Sequence, residues 1–502
     1  MMKLRMRTAL LASAALLLGL ASCKSDRQEA ALQNGECDTY VGVSVRFPAP
    51  ETRALPEDHN KLDGEWQGRD VIKKIKVYVA TTSNGATTIN SDQFTEANFG
   101  GINNGILAPN LAVEAKSGDQ VKVYVVINDM AGKVTTILDE KANTPATFDA
   151  EFQKAVAMVA AIADVAKYDA EKDIVLMTNE TAPVDMTIKP NISKEDAIGG
   201  KANRVEVKVS RVASRAIATV DDQVKKTIEV KRSFTDAKGV TTEQKTATVT
   251  VKDIMYQVTG SALQFNVLAD RKDWKVAAPV YGFTPASKDW TALATEADGK
   301  MLFSDAEGYK AALTATDNSV DNVKKALGDE KFSKFVLPVT HAEGKYMKGN
   351  TTMFEIKATF TVDQIDGAAA DETVKTVYLG LSDGKFYSTK EKAEAMDAAL
   401  TGTDYEKKQS AKEYKNGEMY YYIWLNPDVE YSNLDKTISE SPTVRNQVYH
   451  AHITGFGEMG VADKDEIKPD EPLETKKTHL SVQLQVLPWT IHSYTVNLVN
   501  RY

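Results

Sequence analysis

The chain has little of what chemistry usually needs. It holds two cysteines and six histidines in 502 residues, too few for a metal framework at diagnostic spacing. The Walker A and His-Glu-x-x-His patterns are missing, and with them the P-loop nucleotide and zinc-protease readings they would carry. Basic charge is short as well. Lysine and arginine number 61 against 70 aspartates and glutamates, a formal net charge of −9, which excludes nucleic acid as the expected partner because phosphate neutralisation needs a basic face. The apolar run Ala9 to Leu20 is too short to span a bilayer as a permanent helix. The expectation is a protein that is not an enzyme and that carries no cofactor and no metal.

What is present begins with an address. Lys3, Arg5 and Arg7 precede that apolar run, and Leu20-Ala21-Ser22-Cys23 follows it. This is a signal peptide over residues 1–22 ending in a lipobox, with Cys23 as the lipidated first residue after cleavage. One acylated cysteine would tether the exported chain at a membrane surface. With Cys23 committed to lipid, Cys37 has no second cysteine to pair with, so no structural disulfide is expected and stability must come from core burial and strand pairing.

Valine, threonine and tyrosine recur in short runs separated by turn residues, which predicts an all-β chain. Val41, Val43, Val45 and Phe47 alternate with Gly42, Ser44 and Arg46, a strand with one buried face. It stops at Pro48-Ala49-Pro50 and gives way to a polar loop containing Arg53 and Ala54, open to an arginine-specific protease. The run Val121 to Ile127 reads as a central buried strand. Phe148 to Tyr168 shows apolar residues at helical spacing in an alanine-rich background and predicts the longest helix. Further short helical pieces are expected near Ala306 to Thr314 and Val320 to Leu327. The first domain closes near Arg211 to Ala218. Asp236-Ala237-Lys238-Gly239 then predicts a hairpin. At the far end, Val482, Leu484 and Val486 alternate with polar residues, Pro488 and Trp489 interrupt, and Tyr494, Val496 and Leu498 alternate again. Two strand patterns thus follow an acidic linker, Val461 to Lys477.

Other constellations are weaker. His450 and His452 share one strand face but lack a third ligand of diagnostic spacing, so structural histidines are the expected reading. Asp463, Asp465, Glu466, Asp470 and Glu471 lack the glycine and terminal glutamate of a calcium loop and read as a solvated linker. Trp66, Trp274, Trp290, Trp424 and Trp489 could form a sugar-stacking platform, although packing is the commoner use of tryptophan in a β-rich chain.

The relation between the two ends carries the functional reading. If a protease cuts after Arg53, the strand Val41 to Phe47 can leave its sheet, and a groove with unpaired N–H and C=O groups is unstable when empty. A C-terminal strand of another copy could fill it by β-augmentation, and head-to-tail repetition builds an open filament.

Seven segments in order resemble the fimbrillins of the Bacteroidales: GEWQGRDVIKKIKVYV (64–79), VYVVINDMAGK (123–133), VSRVASRA (209–216), FVLPVTHAEGKYMKGN (335–350), YYYIWLNP (420–427), SPTVRNQVYHAHITG (441–455) and VLPWTIHSYTVNL (486–498). Within that family the chain is most similar to shaft subunits of the minor, or short, fimbriae. The resemblance implies two tandem transthyretin-like β-sandwich domains with a few short helices, at 54–215 and 216–477, after a propeptide at 23–53 and before a donor segment at 478–502. It implies lipidation at Cys23, processing between Arg53 and Ala54, release of the strand carrying Val41, Val43, Val45 and Phe47, and donation within the segment carrying Val482, Leu484, Val486, Trp489, Tyr494, Val496 and Leu498. The implied partners are further copies of the chain, anchor and tip accessory subunits, an arginine-specific protease, and host or bacterial surface receptors, in a fimbria serving adhesion and biofilm formation. The implied location is the outer membrane for the lipoprotein and extracellular fimbriae for the mature form. One departure from the family pattern is a shorter, less proline-rich linker before the donor. The alternative reading is a surface lipoprotein whose β-sandwich domains bind glycan, with the C-terminal segment packed on its own domain.

Overall fold

The computed structural model describes residues 37–47, 60–61, 71–268, 301–302, 310–395, 409–428, 437–474, 480–488 and 492–493, with short interruptions inside the longer stretches. Its N-terminal half is built on a ten-stranded sheet. In chain order the strands are β1 (Thr39–Arg46), β2 (Lys74–Ser83), β3 (Ala86–Thr95), β4 (Phe99–Asn103), β5 (Ile106–Pro109), β6 (Ala112–Ala115), β7 (Gly118–Ile127), β8 (Met177–Asn179), β9 (Met186–Ile188) and β10 (Arg204–Arg211). They are ordered β3-β2-β7-β8-β10-β1-β5-β4, with β9 on β7 and β6 on β1. Val41, Val43 and Val45 of β1 pack on Ile75, Val77 and Val79 of β2 and on Val121, Val123 and Val125 of β7. The strands therefore fold over one another around a core of β-branched side chains, which suits the stiff rotamers of valine on a pleated surface.

The C-terminal half is a sandwich of two sheets. One contains β11 (Ser214–Lys225), β14 (Leu313–Ala315), β15 (Lys334–Val336), β18 (Gln447–Phe456) and β19 (Leu480–Pro488), ordered β14-β11-β18-β19 with β15 also on β11. The other is ordered β12-β13-β16-β17, from β12 (Thr227–Thr235), β13 (Thr241–Thr259), β16 (Met353–Val362) and β17 (Glu418–Trp424). Ala216, Ala218, Tyr449, Ala451 and Ile453 of the first sheet meet Val249, Tyr256, Phe354, Ile356 and Tyr421 of the second in one core. The hairpin expected at Asp236–Gly239 joins β12 to β13, with Gly239 at φ +79°, a backbone conformation that glycine adopts without steric cost.

The halves are not separate beads. The chain crosses from β10 to β11 through Val212 and Ala213, both 0% exposed, which lie in a third core. That core takes Tyr78, Tyr124, Phe148 and Phe152 from the N-terminal half and Ile217, Phe265, Leu337 and Val448 from the C-terminal half. Buried arginines line the crossing. Arg215 Nη1 donates to Asp173 Oδ2 at 2.8 Å, with both side chains fully buried, and Arg445 reaches back across the junction into β10.

Two sequence expectations are corrected. The helix expected over Phe148–Tyr168 is only the short α2 (Phe148–Lys154), which follows α1 (Thr135–Lys141). Phe148 and Phe152 anchor α2 edge-on against Tyr124, with ring centroids 5.0 and 4.7 Å away. Beyond it Val156–Met158 is a strand paired with Gln264–Asn266 of the other half, so tertiary pairing of a valine-containing stretch overrides the helix preference of its alanines. The piece expected to be helical near Ala306–Thr314 includes Lys310–Ala311, paired with β13, and the start of β14. In addition Cys37 is disulfide-bonded, which corrects the exclusion of a disulfide. In a chain that carries lipid on Cys23, no second cysteine remains to pair with it.

Candidate functional site

β1 is an interior strand. It runs parallel to β10, from Gly42 opposite Arg204 to Arg46 opposite Lys208. On its other side it runs antiparallel to β6, from Thr39 opposite Ala115 to Gly42 opposite Ala112, and then to β5, where Val45 faces Leu107. Val41, Val43 and Val45 are 0% exposed and Phe47 is 2% exposed. Burial of each is worth about 1.5–3 kcal/mol, and the backbone of β1 satisfies polar groups on two flanking elements at once.

The outer face of β1 is covered too. Arg204 Nε donates to Ser44 Oγ at 3.0 Å, and Arg46 Nη2 donates to Glu206 Oε2 at 2.9 Å. Above Gly42 lies a short helix, α3 (Lys194–Ile198), N-capped by Ser193, whose Oγ accepts from the Asp196 N–H at 3.1 Å. The loop leading into α3 and the residues after it bond to the first half of β1. Neither Gly42 nor α3 belongs to any motif in the sequence. The one available signal was a glycine inside a strict valine alternation, where a glycine marks close approach of another backbone.

The C-terminal segment is placed in part. Leu480–Pro488, which includes Val482, Leu484 and Val486, is β19, the edge strand beside β18, antiparallel from Phe456 opposite Leu480 to Gln447 opposite Pro488. His492–Ser493 pairs with Asn60–Lys61, a stretch that lies shortly after Arg53 in sequence. Cys23, Arg53, Ala54, Trp489, Tyr494, Val496 and Leu498 lie outside the described residues. The structure therefore seats the expected release strand inside its sheet and pairs the first part of the expected donor with its own domain.

The remaining candidates that lie within the described residues are held in packing and ion pairs. Trp424 is fully buried and donates Nε1–H to the Glu474 carbonyl at 3.2 Å; Trp66, Trp274 and Trp290 lie outside the described residues. Among the described residues no three His, Cys, Asp or Glu side chains converge as metal ligands would. In the acidic linker, Glu471 and Glu474 instead hold the buried Lys348 ammonium, each at 2.8 Å.

His450 and His452 share one hydroxyl. Thr219 Oγ1 lies 2.7 Å from His450 Nε2 and 2.9 Å from His452 Nδ1, and His452 Nε2 lies 3.2 Å from Asp221 Oδ2. A single hydroxyl hydrogen can be given to only one ring, so the other ring meets Thr219 as a donor. Burial pulls the His452 pKa below its ordinary 6.5, and the hydrogen bond and charge of Asp221 pull the other way without overcoming it. The folded ring thus takes up a proton less readily than the unfolded one. Its contribution to stability is complete above about pH 6.5 and declines as pH falls below it. Urea unfolding of the wild type between pH 7.5 and 5.5 is expected to show this loss, and His452→Gln is expected to flatten it. Equal slopes in both proteins would show that His452 is not the titrating group.

The chain is similar in sequence to known fimbrial proteins. The fimbrillin C-terminal family, described as major fimbrial subunit protein type IV, matches residues 412–495, which span β17, β18 and β19. The minor fimbrium subunit Mfa1 of Porphyromonas gingivalis is 28% identical over 521 residues, covering 97% of this chain and 98% of that protein. Among solved structures, a fimbrilin (fimA) from Porphyromonas gingivalis W83 aligns over 93% of this chain and 99% of its own at 16% identity and a TM-score of 0.42. The tip fimbrial protein Mfa3 of Porphyromonas gingivalis aligns over 90% of this chain and 100% of its own at 11% identity and a TM-score of 0.35. By the family match at its last strands and the similarity to Mfa1 over 97% of its length, the chain is similar to the fimbrillins.

Proposed function

We propose that this chain is the shaft subunit of a cell-surface fimbria and that it polymerises by protease-triggered strand exchange. The observation that supports this most is the seat of β1. A strand in the middle of a sheet, fully buried through Val41, Val43 and Val45, is an unusual element to place just ahead of the sequence Pro48-Ala49-Pro50-Glu51-Thr52-Arg53, whose composition reads as a protease site. While β1 is seated, the precursor has no vacant groove and stays a monomer. Cleavage between Arg53 and Ala54 frees β1, and the groove between β10 and the β5–β6 edge is left with unpaired backbone groups and an open core. The C-terminal segment of a second copy then fills it, and each subunit offers the same segment onward.

In this reading the precursor is exported as a lipoprotein held by Cys23, and the lipid leaves with the propeptide. The mature subunit, starting at Ala54, contains no cysteine. Its partners are other copies of itself, anchor and tip accessory subunits at the filament ends, and surface receptors that the filament meets during adhesion and biofilm formation.

Purified precursor treated with an arginine-specific protease is expected to show a new N-terminus at Ala54 and SDS-resistant ladders on unheated gels. Arg53→Ala is expected to abolish both and to leave a folded monomer. Ladder formation by the Arg53→Ala precursor, without loss of residues 23–53, would refute the release step. Mass spectrometry of assembled filaments is expected to find no lipidated Cys23 peptide.

A further inference from the structure

We propose that the segment 189–203, with α3 at its centre, is a flap over the acceptor groove that closes only on a strand bearing glycine, so that an incoming subunit's strand can enter only with the flap displaced. This rests on the strand-exchange reading above and adds the selectivity of the groove to it. The contact that decides it is at Gly42. A Cβ built there would lie 2.2 Å from the Ala197 carbonyl oxygen, 2.7 Å from the Ala197 carbonyl carbon and 3.3 Å from the Ile198 nitrogen. These are backbone atoms of α3, so no side-chain rotation relieves the clash. Any residue but glycine at this position pushes α3 away from the sheet.

The propeptide strand satisfies that demand and also ties the flap down. Tyr40 N–H donates to the Ile192 carbonyl at 3.2 Å, and Asn191 N–H donates to the Asp38 carbonyl at 2.8 Å. Thr39 Oγ1 donates to the Lys189 carbonyl at 2.7 Å and accepts from Ile192 N–H at 3.2 Å. Gly42 N–H donates to the Asn203 carbonyl at 2.8 Å. Asn203 Nδ2 donates to Thr39 Oγ1 at 2.9 Å and to the Tyr40 carbonyl at 3.2 Å. All of these ties lead to residues 38–42 and are lost when that strand departs. The flap also has joints. Asn191, Gly200 and Asn203 sit at φ +59°, +76° and +51°, in the left-handed region where asparagine and glycine are tolerated.

The segment 478–502 contains no glycine. Whichever of its residues comes to lie opposite Arg204, a side chain stands where Gly42 stood, and α3 cannot return to its seat. The flap therefore distinguishes the chain's own strand, which it locks, from the donor strand of a second copy, which holds it open. It opposes premature exchange in the precursor and is displaced in every joined subunit.

Hydrogen exchange on the full precursor and on filaments grown from it reads this directly. Amides of 189–203 are expected to exchange faster in the filament than in the precursor by on the order of tenfold, while β2 and β7 stay protected in both. Gly42→Ala and Gly42→Val are expected to raise exchange over 189–203 in the uncleaved precursor, more for valine. Filaments grown from them should match wild type, because residue 42 is lost at maturation. If ladders form but 189–203 is equally protected in precursor and filament, the flap proposal is overturned and strand exchange stands. If no ladders form after cleavage at Arg53, strand exchange falls and the flap proposal with it. Unchanged exchange over 189–203 in both Gly42 variants would also overturn it, since the seat would then tolerate a side chain.

Discussion

Arg445→Ala is expected to lower the stability of the folded chain by about 3–5 kcal/mol, the sum of several buried acceptors losing their donor at about 1–3 kcal/mol each. The side chain is 1% exposed and works as a clamp across the junction of the two halves. Its Nε donates to the Arg211 carbonyl at 2.7 Å, and Nη2 donates to the Ser210 carbonyl at 2.8 Å and to Thr178 Oγ1 at 2.9 Å. Its Nη1 faces the Asn266 and Val267 carbonyls at 3.3 and 3.4 Å. Thr178 lies in β8 and Ser210 and Arg211 in β10, whereas Asn266 and Val267 belong to the C-terminal half. Truncation at Arg445 takes a donor from these acceptors and leaves a cavity; the Val267 carbonyl still accepts from Thr178 Oγ1, and an acceptor left buried without any donor costs about 1–3 kcal/mol before relaxation. Arg445→Lys is expected to recover only part of the loss, since an ammonium is a point donor and cannot span the planar fork. Urea unfolding followed by circular dichroism tests this. Because the third core is shared, the wild type should unfold in a single transition, and the alanine variant should lose cooperativity along with its midpoint. A loss below about 1 kcal/mol would show that the two halves are stable without the clamp.

That clamp was not visible in the sequence as a clamp. Arg445 stood inside SPTVRNQVYHAHITG, one of the segments that carried the family resemblance, but nothing in its neighbours marks an arginine as buried. What could be read was local. The strict alternation of Val41, Val43, Val45 and Phe47 gave β1, and the turn residues Asp236–Gly239 gave the β12–β13 hairpin. What could not be read depends on which distant element arrives. Val156 and Val159 fit a helical face as well as a strand, and the partner that decides for the strand, Gln264–Asn266, is more than a hundred residues away. His450 and His452 were legible as a same-face pair, but their common partner Thr219 sits on β11. Gly42 was plain in the alternation, yet α3, the reason for it, comes from a segment joined to β1 only in the fold.

Two truncations of the precursor are expected to part the roles of the C-terminal segment. A chain ending at Pro488 keeps β19 and loses residues 489–502. It is expected to fold with a melting temperature within a few degrees of wild type, to be cleaved normally after Arg53, and to form no ladder. A chain ending at Glu474 also loses β19. This strand is registered along the whole of β18, whose Val448, Tyr449, Ala451 and Ile453 are 0% exposed. Its removal opens that edge and the core beneath it to water, so the C-terminal half itself is expected to melt early. The two outcomes differ because an element cannot serve as a stable edge of its own sheet and as a donor to another subunit at once. If residues 480–488 stay on β18, the stretch holding Tyr494, Val496 and Leu498 is the part free to leave. A ladder from the chain ending at Pro488 would reverse the assignment. The strand carrying Val482, Leu484 and Val486 would then be the donor, and β18 would have to release it during assembly. Hydrogen exchange over Gln447–Phe456 would report that release as lost protection in the filament.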